Sequence, residues 1–205
     1  MKAYGYMVLL AGLCLGCGKS YRFSEDDLRW QPYKGGELLV FQSDSGELDS
    51  IWIGELPEAT MVSNDHDWQL FPDKFEVVSV RARFSDPSPP AGTRHRYLKG
   101  SILRLSSSLK EEELSIDFML TAKNAKFYGS TRKKSALKQI DLVELRTTYR
   151  NYEDIIIIES EDREYREKEH FIERIYWSMS DGYVRYDLKG GAYWQLIDKT
   201  SKHEG

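Results

Sequence analysis

The body of this chain contains no cysteine. The two cysteines of the sequence, Cys14 and Cys17, stand within the first 17 of its 205 residues. Because a disulfide needs two cysteines, no intramolecular disulfide can cross-link the region that follows Cys17. The stability of that region must therefore come from burial and hydrogen bonding.

The sequence also lacks a strong basic patch. Its 29 lysines and arginines are outnumbered by 33 aspartates and glutamates, and the formal net charge is −4. The densest basic run is Arg132, Lys133 and Lys134, which we interpret as a solvated loop because nucleic-acid binding needs a larger cationic surface. No nucleic-acid partner is expected. The serine-hydrolase pattern G-x-S-x-G is missing as well.

The stretch GLCLGCGKS, residues 12–20, resembles two chemical motifs but satisfies neither. A phosphate-binding loop requires G-x-x-x-x-G-K-[ST], and counting back five positions from Gly18 gives Leu13 instead of glycine. A redox Cys-x-x-Cys pair belongs at the start of a helix in a βαβ unit, whereas Cys14 and Cys17 follow an apolar run near the start of the chain. We therefore expect no cofactor.

The first 17 residues have the organisation of a secretory signal. Lys2 precedes an apolar stretch of about a dozen residues, which is shorter than the roughly 20 needed to span a bilayer. Cys14-Leu15-Gly16-Cys17 resembles the lipobox of bacterial lipoproteins, with Gly16 as the small residue before the modified cysteine. In that family leucine is usual at the position of Cys14, and a smaller residue is common at that of Leu15. A signal peptide that is cut elsewhere without lipidation is the alternative.

This resemblance implies that Cys17 becomes the first mature residue and carries a diacylglyceryl thioether and an acylated amine. It also implies a membrane partner through the lipid anchor. Because Gly18 rather than aspartate follows Cys17, the resemblance implies the outer membrane, on either its periplasmic or its surface side. We divide the chain into a signal peptide (1–16), a tether with a short helix (17–35) and a β domain (36–200).

Strand patterns dominate the body of the chain. Ser24-Glu25-Asp26-Asp27 has the form of a helix N-terminal cap, and residues 18–22 are predicted as tether. Two strands at 37–42 and 48–53 flank a turn-rich segment, which predicts a hairpin. Further strands are predicted at 75–84, 101–105, 114–121, 141–145 and 154–159, with a short helix near 135–140 and a loop or helix at 161–169. The four isoleucines at 155–158 indicate a central strand.

The last third of the chain predicts a three-stranded meander at 171–177, 183–187 and 193–197. We expect Ile175 with Trp177, Val184 with Tyr186, and Trp194 with Leu196 to share one apolar face. The predicted fold is mainly β: a single, mostly antiparallel sheet, curled into a barrel or folded into a sandwich, with one or two short helices. The aromatic residues of the meander have two interpretations, a ligand-binding surface for a glycan or apolar ligand, or a cross-strand core: Tyr176, Trp177, Tyr183, Tyr186, Tyr193 and Trp194.

The densest group of potential metal ligands is Asn64-Asp65-His66-Asp67. Adjacent residues of an extended chain point to opposite faces, so we interpret this group as a solvated loop and expect no metal site. The leading hypothesis is a lipid-anchored, non-enzymatic binding module of the cell envelope for an apolar ligand, a glycan or an envelope protein. The alternatives are an envelope hydrolase with a site built from dispersed carboxylates or residues 64–67, and a domain that only braces an assembly.

Overall fold

The computed structural model describes residues 19–55, 59–63, 73–84, 100–107, 113–122, 125–161, 167 and 171–201. Within these residues, two short helices, α1 (Glu25–Leu28) and α2 (Lys134–Leu137), accompany thirteen strands. The strands are β1 (Ser20–Tyr21), β2 (Glu37–Ser43), β3 (Leu48–Ile53), β4 (Thr60–Ser63), β5 (Lys74–Phe84), β6 (Ser101–Ser107), β7 (Leu114–Ala122), β8 (Ala125–Lys133), β9 (Val143–Arg146), β10 (Asn151–Glu159), β11 (Ile172–Ser178), β12 (Gly182–Leu188) and β13 (Tyr193–Ser201).

All thirteen strands belong to one sheet, and the prediction of a mainly β, mostly antiparallel fold is confirmed. The main path runs β8-β7-β6-β5-β3-β2-β13-β12-β11-β10-β9. β4 pairs antiparallel with β5, and β1 pairs with β5 in parallel. Strand β13 lies between β2 and β12, so it joins the half of the sheet that contains β2–β8 to the half that contains β9–β12.

The sheet curls until its two halves face each other across one core. Phe118 of β7 lies with its ring centroid 5.1 Å from that of Trp177 on β11. A single parallel bridge also joins Lys126 of β8 to Phe171, just before β11. No ladder joins the two ends of the path within the described residues, so the sheet is curled but does not close into a barrel.

The hairpin and the meander form as the sequence predicts. β2 and β3 meet around the turn that contains Gly46, and β11, β12 and β13 are consecutive neighbours. The six residues predicted to share the apolar face all lie in the core. A register shift after Tyr176 places Tyr183 opposite Trp177, because β12 accommodates one extra residue there.

The remaining predictions of strands and helices hold with small changes. The strand that contains the four isoleucines, β10, has a neighbour on each side but stands one strand from the end of the path. The predicted cap is present: Ser24 and Asp27 form a reciprocal capping box at the start of α1. The predicted short helix near 135–140 appears as α2.

The sequence does not predict three of the strands, namely β1, β4 and β8. Residues 18–22 were predicted as a tether, but Ser20 and Tyr21 pair with β5.

The interpretation of the basic run as a solvated loop is also wrong. Arg132 and Lys133 end β8, and Lys134 begins α2, where its ammonium group meets the acidic first turn of α1. Opposite charges on two short helices thus give this lysine a structural role.

No helix in the described part of the chain has the length and apolar character needed to cross a membrane. Residues 64–67, Cys14, Cys17 and all four histidines lie outside the described residues, as does most of the segment 161–169.

Candidate functional site

Most of the aromatic residues predicted for ligand binding lie in the core. The side chains of Trp177, Tyr183 and Tyr186 are fully buried, and those of Trp194 and Tyr176 are 6% and 9% exposed. Trp177 is central to this group, because its ring makes edge-on contacts with those of Tyr33, Phe118 and Tyr183. This geometry favours the cross-strand core for the buried rings.

The hydroxyl group of Tyr183 connects the two halves of the sheet. It donates to the carbonyl oxygen of Ile102 on β6 at 2.8 Å and accepts from the amide N–H of Met119 on β7 at 3.0 Å. Both partners lie where a ladder is irregular, Ile102 in the β5–β6 ladder and Met119 in the β7–β8 ladder. The hydroxyl therefore satisfies buried backbone groups near two bulges, and burial raises its pKa well above the usual value.

The outer surface of the meander carries the accessible part of the predicted aromatic group. The guanidinium of Arg185 lies 4.1 Å from the ring centroid of Tyr193 and 5.1 Å from that of Tyr176. Asp187 fixes this arrangement, since it accepts from Arg185 Nε at 2.7 Å and from the Tyr176 hydroxyl at 2.8 Å. Arg174 Nε approaches the same carboxylate at 3.8 Å. We call these five residues the outer-face cluster.

Alternation along the strands explains why these side chains meet. Tyr176 pairs with Arg185, while Arg174 and Tyr193 both pair with Asp187, so three adjacent strands present one outward patch. The patch contains two aromatic rings, of which that of Tyr193 is half-buried and that of Tyr176 is buried, together with two guanidinium groups and a carboxylate. Such a surface offers a flat π-face together with hydrogen-bond donors and acceptors, but little apolar enclosure.

A cavity of about 340 Å³ adjoins the cluster through Arg174. Three of its other lining residues are glutamates, Glu159, Glu167 and Glu173, and the ammonium group of Lys189 lies 3.0 Å from Glu167 Oε2. These carboxylates were not singled out from the sequence, because three residues that are separated along the chain carry no spacing signal. No group of three or more metal-ligating side chains occurs among the described residues.

A buried network of charges lies at the turn between β11 and β12. Lys199 Nζ is 3.5 Å from a carboxylate oxygen of Glu37 and 3.5 Å from one of Asp181, and each of these side chains is less than one-tenth exposed. Arg150 Nε adds a contact of 3.2 Å to Asp181. The network contains charges of both signs, and each is paired. We therefore assign it a structural role, which is to join β2, β13 and two turns.

A second cavity, of about 490 Å³, lies beside β1. Its lining includes Lys19, Tyr21 and Arg22 from the start of the described chain. It also includes Ser107 at the end of β6, Glu113 just before β7 and Leu114 at the start of β7. The mixture of charged and apolar side chains gives this cavity no clear preference for one ligand.

Comparison of the chain with protein families, curated proteins and solved structures finds no match.

Proposed function

We propose that this protein is a lipid-anchored, non-enzymatic domain of the cell envelope that binds a glycan through the outer-face cluster. The anchor would be the acylated Cys17, and the outer membrane its location. The lipobox-like sequence Cys14-Leu15-Gly16-Cys17 supports the anchor. The observation that carries the binding activity is the position of Arg185 between the rings of Tyr176 and Tyr193.

A glycan suits this surface better than an apolar ligand. Sugar rings present C–H groups that pack on an aromatic face and hydroxyl groups that need charged or polar partners. Arg185 covers one face of the Tyr193 ring, and the opposite face of this half-buried ring is the one proposed to receive the sugar. Arg174, Arg185 and Asp187 supply the polar partners. Because Asp187 already holds Arg185 in place, little side-chain freedom remains to be lost on binding.

The anchor is tested by the intact mass of the protein purified from membranes of a Gram-negative host. We expect a chain that starts at Cys17 and carries a diacylglyceryl thioether and an acylated amine, because the resemblance to the lipobox implies both modifications. Several acyl chains hold a protein on a bilayer far more firmly than the marginal binding given by one. A Cys17→Ser variant should lack the added mass. A protein with no acyl mass, whether cut elsewhere or uncut, would contradict the anchor.

Glycan binding is tested by cosedimentation of the purified protein with peptidoglycan sacculi, and by its retention on immobilised lipopolysaccharide. We expect Tyr193→Ala to reduce binding to the preferred polymer at least several-fold. Leu142→Ala is the matched control, because Leu142 is 59% exposed and lies outside the cluster, next to β9. Equal binding by Tyr193→Ala and the parent protein would exclude the cluster as the glycan site.

The alternative of an envelope hydrolase is supported by the three glutamates around the 340 Å³ cavity next to the cluster. Glycosidases use paired carboxylates, and the spacing of the pair decides the mechanism. If the protein releases soluble fragments from sacculi and Glu159→Gln or Glu173→Gln abolishes release, the hydrolase replaces the binding module. Binding without release favours the module.

A further inference from the structure

The described fold begins at Lys19, two residues after the proposed lipid attachment site, so the chain that connects the two is very short. The amide N–H of Lys19 donates to Asp73 Oδ1 at 2.7 Å, and the Lys19 carbonyl accepts from the amide of Lys74 at 2.9 Å. Ser20 and Tyr21 then pair with Lys74 and Phe75. Lys19 is therefore fixed to the start of β5.

This attachment limits how far the domain can stand from the bilayer. Two residues span at most about 7 Å when fully extended. The headgroup layer on one side of a bilayer is about 5–7 Å thick, half the difference between the total thickness and the hydrocarbon core. If the diacylglyceryl group of Cys17 lies at the boundary of the hydrocarbon, Lys19 must lie within or directly against the headgroups.

An apolar row lies beside this point. Tyr21 and Val62 both pair with Phe75, one from β1 and the other from β4, so the three side chains share one face of the sheet. This is the outer face, because the alternate residues Val78 and Val80 of β5 enter the core. Val62 is 39% exposed, and Tyr21 and Phe75 are half-buried.

The surroundings of the row also suit a bilayer interface. Lys19 lies two residues before Tyr21 on the same side of the strand, and its exposed side chain can reach anionic headgroups. Arg22 and Lys74 are exposed neighbours of the row on the opposite side of their strands. Tyrosine and other aromatic residues are preferred at the level of the headgroups because one end of the side chain is apolar and the other is polar. Both features lie within reach of the anchor.

We propose that the row Tyr21–Phe75–Val62 rests in the headgroup layer of the membrane and fixes the orientation of the domain. This proposal depends on the lipid anchor proposed above. The occupant of the row is the lipid surface itself, since the short connection to Cys17 brings that surface to the row. The anchored protein would then be a docked domain with one orientation, and not a domain on a loose tether.

The test uses a feature of the sequence: after processing, the mature chain has no free thiol, since its one cysteine would be modified. Val62→Cys therefore introduces a unique site for an environment-sensitive fluorophore in the full lipidated protein. Leu48→Cys is the control, because Leu48 is 58% exposed and β3 meets β5 at Phe84, nine residues along the strand from Phe75. Both proteins are reconstituted in phosphatidylethanolamine–phosphatidylglycerol vesicles that contain headgroup-quencher lipids.

We expect quenching at position 62 to exceed quenching at position 48 at least threefold. A Gly/Ser linker of about 15 residues between Gly18 and Lys19, with a mean reach of about 20 Å, should reduce the quenching at position 62 toward that of the control. Equal quenching at both positions in protein that carries acyl mass would overturn the orientation while leaving the anchor intact. Protein without acyl mass would overturn both.

Discussion

The hydroxyl group of Tyr183 provides a quantitative test of how the two halves of the sheet are held together. Tyr183→Phe removes one oxygen atom and keeps the ring, which packs against Trp177 with centroids 5.0 Å apart. The amide of Met119 and the carbonyl of Ile102 lose their shared partner in a fully buried site. Leaving buried polar groups unpaired costs about 1–3 kcal/mol of unfolding free energy.

We expect Tyr183→Phe to lose about 2 kcal/mol of unfolding free energy. For a domain of this size that corresponds to a decrease in melting temperature of roughly 4–8 °C. The assay is urea denaturation followed by tryptophan fluorescence, with thermal melts by circular dichroism as a second measure. An unchanged slope against urea concentration would show that the stability changed and not the extent of unfolding.

Tyr186→Phe is the matched control. The Tyr186 hydroxyl is also buried, but it has no hydrogen-bond partner among the described residues. Its removal should change the unfolding free energy by less than about 0.5 kcal/mol or stabilise the protein, because an unpaired polar group is lost. If the two variants are equally destabilised, loss of hydrogen bonds is not the cause and the reasoning about Tyr183 is refuted.

Three further predictions concern single side chains. Gly182→Ala should prevent stable folding, as judged by circular dichroism, because Gly182 has φ of +81° and a Cβ there would overlap the buried side chain of Tyr33. Gly191→Ala, at φ +94° with open space around it, should cost only about 1–2 kcal/mol of unfolding free energy. A similar loss in both variants would contradict the overlap. Lys134→Met should weaken the dependence of the melting temperature on pH in acid. Lys134, together with Lys138, lowers the pKa of Asp26 to about 2, so these ion pairs stabilise the fold above pH about 4 and lose this effect toward pH 2. An unchanged pH profile would exclude a contribution from Lys134. Lys199→Met should lower the unfolding free energy, measured in urea, by about 3 kcal/mol, the lower end of the cost of breaking a buried ion pair, because two buried carboxylates lose a cation while Asp181 keeps Arg150. A neutral result would show that the other partners of the carboxylates suffice.

Local sequence patterns predicted the elements whose signals are short-range. The hairpin of β2 and β3 has turn residues between two apolar segments, and the capping box of α1 needs only Ser24 and Asp27. The three-stranded meander could be predicted for the same reason. In each case the deciding contacts join residues close together in the sequence, so their residue types carry the information.

The features that were missed depend on distant parts of the chain. β8 contains a glycine and three cations, which weaken its strand pattern, and it is ordered by pairing with β7. β1 has only two residues and exists because β5 offers it a partner. The side chains of the outer-face cluster come together only through the register of three strands, which the sequence does not reveal. The register shift in β12 likewise could not be predicted from the alternation of apolar residues.

The position of β13 has a consequence for the order of events during biogenesis. The path of the sheet runs from β2 through β13 to β12, so the two halves have no continuous ladder until β13 is inserted. A nascent chain that has exposed β2–β12 would still hold two unpaired strand edges, which are hazards for aggregation. If the chain is exported as we propose, the complete ladder can form only after residues 193–201 have crossed the membrane, and the exposed edges would have to be protected until then.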